Sequence, residues 1–207
     1  TMVEDKSKKI IKDIRSSPLP RVSIAGGYIL SAFVIGVIMC VVALVLCELY
    51  IASGGGTLLH GMQLVKVFAL ILLSTFSNTA LVLFFVSFFQ SNNAFSIAST
   101  IIGTIIGFMM GIYIPVGQLP EGVQWVIKLF PPSHSALLFR QVIMEDALKA
   151  SFGQAPAGML EEFSSMLGVS FKIGDTAVTP IMSIALLVGS GIIFLALAIL
   201  NLSRKKK

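Results

Sequence analysis

Long apolar runs separated by short polar breaks dominate the chain. The first run carries no charged residue from Val22 to Cys47, and three further apolar runs follow it. A helix needs roughly 20 mainly apolar residues to cross a bilayer. The pattern therefore predicts four transmembrane helices, at about 22–52, 64–89, 94–114 and 177–203.

The stretch at 115–148 is too apolar for a solvent-exposed loop and too interrupted for a spanning helix. Pro131 and Pro132 exclude one straight helix through it, and the apolar pieces on either side are too short to cross a bilayer. Pro120 is expected to begin a first short helix, and Ser133 is expected to cap a second. Two short helices broken at a proline pair are typical of a re-entrant segment with a buried or wet break. The alternative is a helical hairpin that lies at the membrane interface.

Composition and charge set the class and the orientation. The chain is 56% hydrophobic and 12% charged, whereas soluble proteins are about a quarter charged, so it is an integral membrane protein. Ten basic residues lie in the two tails: Lys6, Lys8, Lys9, Lys12, Arg15, Arg21 and the four at 204–207. They predict that both termini are cytoplasmic, which places 149–176 in an external loop with one amphipathic helix near 159–167. The net charge of +5 therefore favours the inner membrane surface over nucleic acid.

Small and polar residues mark two of the predicted spans. Asn78 lies in a polar band halfway along the second span, and Ser96, Ser99, Thr100 and Thr104 lie on the third. Such residues either join neighbouring helices or line a wet path, here one for an amphiphilic substrate. Gly103, Gly107 and Gly111 recur every four residues, which predicts a groove for helix packing within the subunit or across a dimer.

Catalytic motifs are missing from the sequence. It has no GxxxxGK[ST] segment and no HExxH spacing, so we expect neither ATP hydrolysis by that route nor a metal site, and we predict no cofactor. Cys40 and Cys47 are interpreted as small apolar fillers within a span. Glu48, near the end of the first span, is either a carboxylate that reaches interfacial water or a proton-coupling site.

The N-terminal segment has the pattern of a short amphipathic helix at about 5–15. Ile10, Ile11 and Ile14 share one side of it, and charged residues occupy the rest. Such a helix either lies on the cytoplasmic membrane surface or docks on a cytoplasmic partner.

The order of three segments resembles the membrane subunits of type 2 ATP-binding-cassette (ABC) exporters. These segments are SSPLPRVSIAGGYILSAF, NNAFSIASTIIGTIIGFMMGIYIPVGQLP and FPPSHSALLFRQVIM. The resemblance implies a permease that forms a homodimer or a heterodimer of permeases in the cell membrane and pairs with cytoplasmic ABC ATPase subunits or domains. It matches 1–21 to the family's coupling helix, with ATPase contacts at Glu4, Lys6, Lys9, Ile10, Ile11, Ile14 and Arg15. It also matches 94–114 to the helix that lines the path, and it implies an outer gate that we assign to Pro115, Phe130, Pro131 and Pro132.

The expected fold is an all-α integral membrane protein with four spans, a coupling helix and a re-entrant outer helix pair. The family has six spans, so we expect Thr1 to be internal to a longer permease that has two more spans before it. The implied activity is ATP-driven export of a lipid, drug, peptide or glycoconjugate by alternating access. The alternatives are an ion- or proton-coupled carrier or small pore, and a non-transporting membrane interaction or immunity protein.

Overall fold

The computed structural model describes residues 2–7, 21–153, 157–173 and 176–204. Helices account for most of these residues, and two strands of two residues each form a small antiparallel pair. In chain order the elements are α1 (Met2–Ser7), α2 (Arg21–Ser53), α3 (Gly61–Phe88), α4 (Asn92–Met109), a 3₁₀ turn (Val116–Gln118), α5 (Glu121–Leu129), α6 (Pro131–Ile143), α7 (Glu145–Phe152), α8 (Ala157–Leu167), β1 (Lys172–Ile173), β2 (Thr176–Ala177) and α9 (Pro180–Arg204).

Four of the described helices are long and apolar enough to cross a membrane. They are α2 from Gly26, α3, α4 and α9 to Asn201. The shortest, α4, has 18 residues and a length of about 27 Å, close to the thickness of a hydrocarbon core. The predicted all-α membrane fold with four spans is confirmed.

Helix α3 is the centre of the bundle. It packs most extensively on α9 and also contacts α2 and α6. Gly191 of α9 allows the closest approach, because a Cβ atom there would lie 2.8 Å from the Phe76 ring and 3.3 Å from the Ser77 backbone. Ser77 Oγ and Ser190 Oγ lie 3.2 Å apart across the same contact, which is the small-residue packing expected between membrane helices.

Most of the described buried apolar residues form two clusters, one at each end of the bundle. The terminal face is the end at which α2 and α4 begin and α3 and α9 end; its cluster comprises Val3, Leu83, Val86 and Ala198. The loop face is the opposite end; its cluster comprises Leu70, Val116, Ile127, Leu137, Leu138, Phe171, Val178 and Leu187. The loop-face cluster draws on short helices and loops, so the segment between α4 and α9 is folded onto the bundle.

Several elements differ from the sequence-based expectations. The third span ends at Met109 instead of residue 114, and Gly111 adopts a φ of +67°, which takes it out of the helix. The expected loop at 149–176 contains the end of α7, then α8 and the β1–β2 hairpin, in which Lys172 pairs with Ala177. Helix α8 covers the position of the predicted amphipathic helix.

The expected coupling helix falls largely outside the described residues. Helix α1 contains Glu4 and Lys6, whereas Lys9, Ile10, Ile11, Ile14 and Arg15 lie outside the part of the chain that the structure describes. Val3 is buried in the terminal-face cluster, and the Tyr28 hydroxyl donates a 2.6 Å hydrogen bond to the Asp5 carboxylate. The described N-terminal helix is therefore attached to the bundle.

Candidate functional site

The proline pair begins a helix, as its fixed φ angles favour. Pro131 and Pro132 occupy the first turn of α6, where the lack of an N–H group removes no helical hydrogen bond. Phe130 is the extended residue between α5 and α6, which places Phe130, Pro131 and Pro132 together at one break. Pro115, the fourth residue assigned to a gate, lies before the 3₁₀ turn.

Ser133 joins this break to the end of α4 and does not cap α6, which corrects the expectation from the sequence. Its hydroxyl donates a 3.0 Å hydrogen bond to the Met109 carbonyl, and its backbone N–H donates to the Phe130 carbonyl. The helix begins three residues earlier than a cap at Ser133 would imply, because Phe130 is the N-cap and Pro131 is already helical. Ser133 is thus a contact between α6 and the last turn of α4.

His134 is buried where α5, α6 and α9 meet. Its Nε2 atom lies 2.8 Å from the Lys128 carbonyl, which can only accept, so Nε2 carries the proton. Nδ1 then accepts a hydrogen bond of 3.0 Å from the Ser183 hydroxyl at the start of α9. The Phe171 ring packs edge-on against the imidazole, with 5.7 Å between centroids. Burial lowers the pKa of His134, so the ring is neutral, with both nitrogens bonded.

Arg140 links α6 to the turn that follows α4. Its Nη2 atom donates to the Met110 and Gly111 carbonyls at 2.8 and 3.0 Å. These carbonyls lie at the C-terminal end of α4, where a helix leaves acceptors unsatisfied and favours a cation. Nη1 is buried with no hydrogen-bond partner among the described residues. The guanidinium therefore holds the end of α4 against α6.

Together these contacts define the loop-face cap, the unit formed by α5, α6 and the segment 168–171. Gln141 completes it with a 2.8 Å hydrogen bond to the Val169 carbonyl. The cap contacts α4 through Ser133 and Arg140 and α9 through His134. A displacement of the cap would thus act on both helices.

The residues predicted to line a path on α4 form an exposed stripe. We call it the α4 stripe; it comprises Ser96, Ser99, Thr100 and Thr104, together with Gly103, which was predicted to pack helices. The Thr100 and Thr104 hydroxyls donate to carbonyls of their own helix. A Cβ atom on Gly103 would meet nothing within 4 Å, so the stripe is open.

The other two glycines of the predicted groove differ from Gly103. The Tyr113 ring of the same chain covers Gly107, which is buried. Gly111 lies in the turn after α4, where its positive φ explains the glycine. The three glycines therefore do not form one groove along a helix.

Asn78 lies away from the α4 stripe, in a cavity of about 710 Å³. We call this space the inner cavity; α2 and α3 form its walls, and Val3, Tyr28 and Phe95 lie toward the terminal face. None of Ser96, Ser99, Thr100 and Thr104 lines it. The sequence predicted that these four residues and Asn78 line one path. In the structure the four residues lie on the α4 stripe, whereas Asn78 lines the inner cavity.

Glu48 has a local contact near the loop face. Its carboxylate accepts a 3.1 Å hydrogen bond from the Leu59 backbone N–H, across the turn between α2 and α3. The Glu48 carboxylate therefore has a hydrogen-bond partner at the end of α2 and needs no charged partner there. Among the described residues, no group of three or more His, Cys, Asp or Glu side chains could hold a metal.

The sequence does not reveal the hydrogen bonds that attach the cap to α4 and α9. Neither His134 nor Arg140 is among the residues that the sequence predicts to be functional. A polar side chain within an apolar helix costs free energy unless it is paired. The sequence therefore indicates that such a side chain needs a partner. Its partners, a helix end and a distant serine, cannot be identified from spacing.

Comparison with protein families identifies the family of this chain. A family model described as ABC-2 family transporter protein matches residues 1–200. The search of curated proteins and the search of solved structures each found no match to the chain. The family match implies association with an ABC ATPase, and four apolar helices make the chain a multi-pass membrane protein. The chain belongs to the ABC-2 family of transporter membrane proteins.

Proposed function

We propose that this chain is the permease of an ATP-driven exporter in the cell membrane, with both termini cytoplasmic. It moves a lipid, drug, peptide or glycoconjugate outward by alternating access. It works as a dimer of permeases that contacts two ATPase subunits or domains through Glu4, Lys6, Lys9, Ile10, Ile11, Ile14 and Arg15. Membrane lipid surrounds it.

The exposed α4 stripe is the observation that carries this proposal. Of the 18 residues of α4, only Gly107 is buried, and the hydroxyl side of the helix has no cover from the described chain. Lipid tails offer no hydrogen bonds, so small and polar residues on membrane helices usually face another helix or a wet path. A second copy packed near Gly103 would place two stripes opposite each other and enclose a path between them.

The contacts at the end of α4 support a mechanical connection from α4 to the proposed outer gate. Closure of the ATPases would displace the coupling helix and change the balance between inward-open and outward-open arrangements, a population shift. Arg140 and Ser133 join the end of α4 to α6, so movement of α4 would carry Phe130 and the proline pair with it. The cap would then open or close the path at its outer end.

Reconstitution with the ATPase tests the transport step. We expect ATP-dependent movement of a fluorescent lipid in proteoliposomes, and loss of coupled ATP hydrolysis in Ile11→Asp but not in the apolar control Ile11→Leu. Unchanged coupling in Ile11→Asp would contradict the docking role. Transport without ATP that Glu48→Gln abolishes would instead establish an ion-coupled carrier.

Disulfide trapping tests the dimer. In a chain whose Cys40 and Cys47 are replaced by Ala, we expect Gly103→Cys to form a dimer on oxidation. Ile101→Cys is the control, because two residues along a helix turn the side chain by about 160°. Equal crosslinking at both positions would mean random collision and would refute the interface.

A further inference from the structure

The aromatic ring of Tyr113 covers α4 at the loop-face end of the α4 stripe. Gly107, the buried residue of α4, lies beneath that ring. We propose that Tyr113 gates the outer end of the path along the α4 stripe, closed when its ring rests on Gly107 and open when the ring rotates away. This role rests on the proposed transport path, and it adds a residue in direct contact with α4 to the gate assigned to the prolines.

The backbone after α4 brings Tyr113 back beside the helix that it follows. Gly111 has a φ of +67°, which favours glycine, and the chain reverses there. The Gly111 and Ile112 N–H groups donate hydrogen bonds of 3.0 and 3.1 Å to carbonyls in the last turn of α4. Arg140 of the cap donates to a carbonyl of the same turn. The position of Tyr113 is therefore set by hydrogen bonds of the turn, and the turn is attached to the cap.

Gly107 is the residue that allows the ring to lie against α4. A Cβ atom there would overlap the ring, with 3.0 Å to Tyr113 Cζ, whereas a Cβ atom on Gly103 would meet nothing within 4 Å. Gly107 follows Gly103 by four residues and Thr100 by seven, so the three lie on one face of the helix. The ring thus lies across the stripe, beyond its hydroxyl groups and toward the loop face.

The contacts of the ring permit it to move. Tyr113 is 61% exposed, and it packs on Gly107 and on the Phe108 ring, with 5.0 Å between the two ring centroids. Both contacts are van der Waals contacts, which are individually weak, and exposed side chains change rotamer within picoseconds to nanoseconds. Because Arg140 attaches the turn to the cap, a displacement of the cap would move the ring as well.

A tyrosine suits the end of a path that meets water. Its ring is apolar enough to cover a helix surface, while its hydroxyl can stay in the aqueous phase. In a dimer whose α4 stripes face each other, the two-fold axis would bring the two Tyr113 rings to the same end of the path. The path would then be closed from both sides at the loop face.

Thiol accessibility tests the gate without a transport assay. The chain carries Thr100→Cys as the reporter, has Cys40 and Cys47 replaced by Ala, and is expressed in cells together with the ATPase. A membrane-impermeant methanethiosulfonate is added outside, and the rate of modification is divided by the rate at His60→Cys, an exposed residue of the loop face. Tyr113→Ala should raise this ratio about tenfold or more, since a minor open state is typically about 0.1–10% populated.

Matched variants assign the effect to the ring. Gly107→Ala should also raise the ratio, because its methyl group displaces the ring, whereas Gly103→Ala should not. Tyr113→Phe should keep the low ratio, since the ring and not the hydroxyl covers Gly107. Ile112→Ala should keep it too, because Ile112 is an exposed neighbour in the same turn. Each variant must elute as a single species, which excludes misfolding as the cause of a change.

The possible failures separate the gate from the path. If Thr100→Cys reacts as fast with Tyr113 present as in Tyr113→Ala, the gate is refuted while the path stands. If Thr100→Cys reacts in no variant although His60→Cys does, the α4 stripe is not a wet path, and the path and its gate are both refuted. A Gly107→Ala variant that behaves like Gly103→Ala would also overturn the gate. No reaction at His60→Cys would place the loop face inside the cell and exclude an outer gate.

Discussion

The loop-face cap and helix α4 are opposites in composition and in burial. In α6, four consecutive residues from Pro132 to Ser135 are buried, and two of the three polar ones have hydrogen-bond partners among the described residues. Helix α4 is far more apolar, yet it buries only Gly107. In water this distribution would be unfavourable, but lipid tails remove the cost of exposed apolar surface.

Buried polarity, more than apolarity, therefore marks where this chain contacts itself. The described polar side chains that are buried all lie on α3, α6 and α9: Ser74, Thr75, Ser77, Ser87, Ser133, His134, Ser135 and Ser183. Helices α2 and α4 contribute none. Their surfaces are open to lipid, ligand or a second copy, and the predictions below test this contrast.

The largest effect is expected at the centre of the cap. His134→Ala should lower the free energy of unfolding by about 3–4 kcal/mol, because it leaves a cavity and removes two buried hydrogen bonds. Thermal unfolding in detergent measures the change, and hydrogen exchange should show α5 and α6 opening first. His60→Ala is the control, since that histidine is exposed. If His134→Ala lowers the unfolding temperature no more than His60→Ala does, the contacts of His134 add no stability.

A smaller effect is expected where the cap meets α4. Arg140→Met should cost about 1–3 kcal/mol, since it leaves the Met110 and Gly111 carbonyls without their donor. Hydrogen exchange at residues 110–114 should become faster while exchange in the body of α3 is unchanged. Lys149→Met, which removes an exposed ion pair with Glu145, should leave exchange at residues 110–114 unaltered. Unchanged hydrogen exchange at residues 110–114 in Arg140→Met would show that Arg140 does not hold the end of α4 against the cap.

Substitution of two glycines near the cap should change the free energy of unfolding in opposite directions. A Cβ atom on Gly117 would lie 2.7 Å from Met166 Cα, a backbone atom that cannot rotate away, so Gly117→Ala should cost about 1–3 kcal/mol. Gly122 in α5 has nothing within 4 Å, so Gly122→Ala should stabilise by about 0.5 kcal/mol. Calorimetry of both variants measures the difference. A stabilising Gly117→Ala would show that α8 does not pack there.

The sequence was sufficient for the elements that depend on length and apolarity. The four spans and the helix break at Pro131 and Pro132 follow from local pattern and proline chemistry. The end of α4 does not, since continuous apolarity through Ile114 conceals a turn at Gly111 that Arg140 stabilises from 29 residues away. Such a contact has no local signature.

The candidate site was harder to predict from the sequence, because its contacts also join residues that are distant along the chain. Asn78 and Thr100 have similar polar character in the sequence, and only packing separates the inner cavity from the α4 stripe. His134 and Ser183 are 49 residues apart and meet only in the folded chain. Residue type indicated which side chains need partners, while the fold decides which partners they have.

The smallest effect is expected beside the cap, where Lys172 of β1 donates a hydrogen bond to Glu161 of α8. This hydrogen bond holds the pKa of Glu161 below its usual 4.5, so its contribution is present above that pH and is lost as pH falls through the lowered pKa. The protection of α8 against hydrogen exchange, relative to the intrinsic exchange rate at each pH, should therefore fall slightly below about pH 4.5. Lys172→Met should abolish that pH dependence, and α4 should be unaffected in both proteins. If the protection factors in α8 keep the same pH dependence without Lys172, this exposed pair contributes nothing to the stability of α8, as is true of many surface ion pairs.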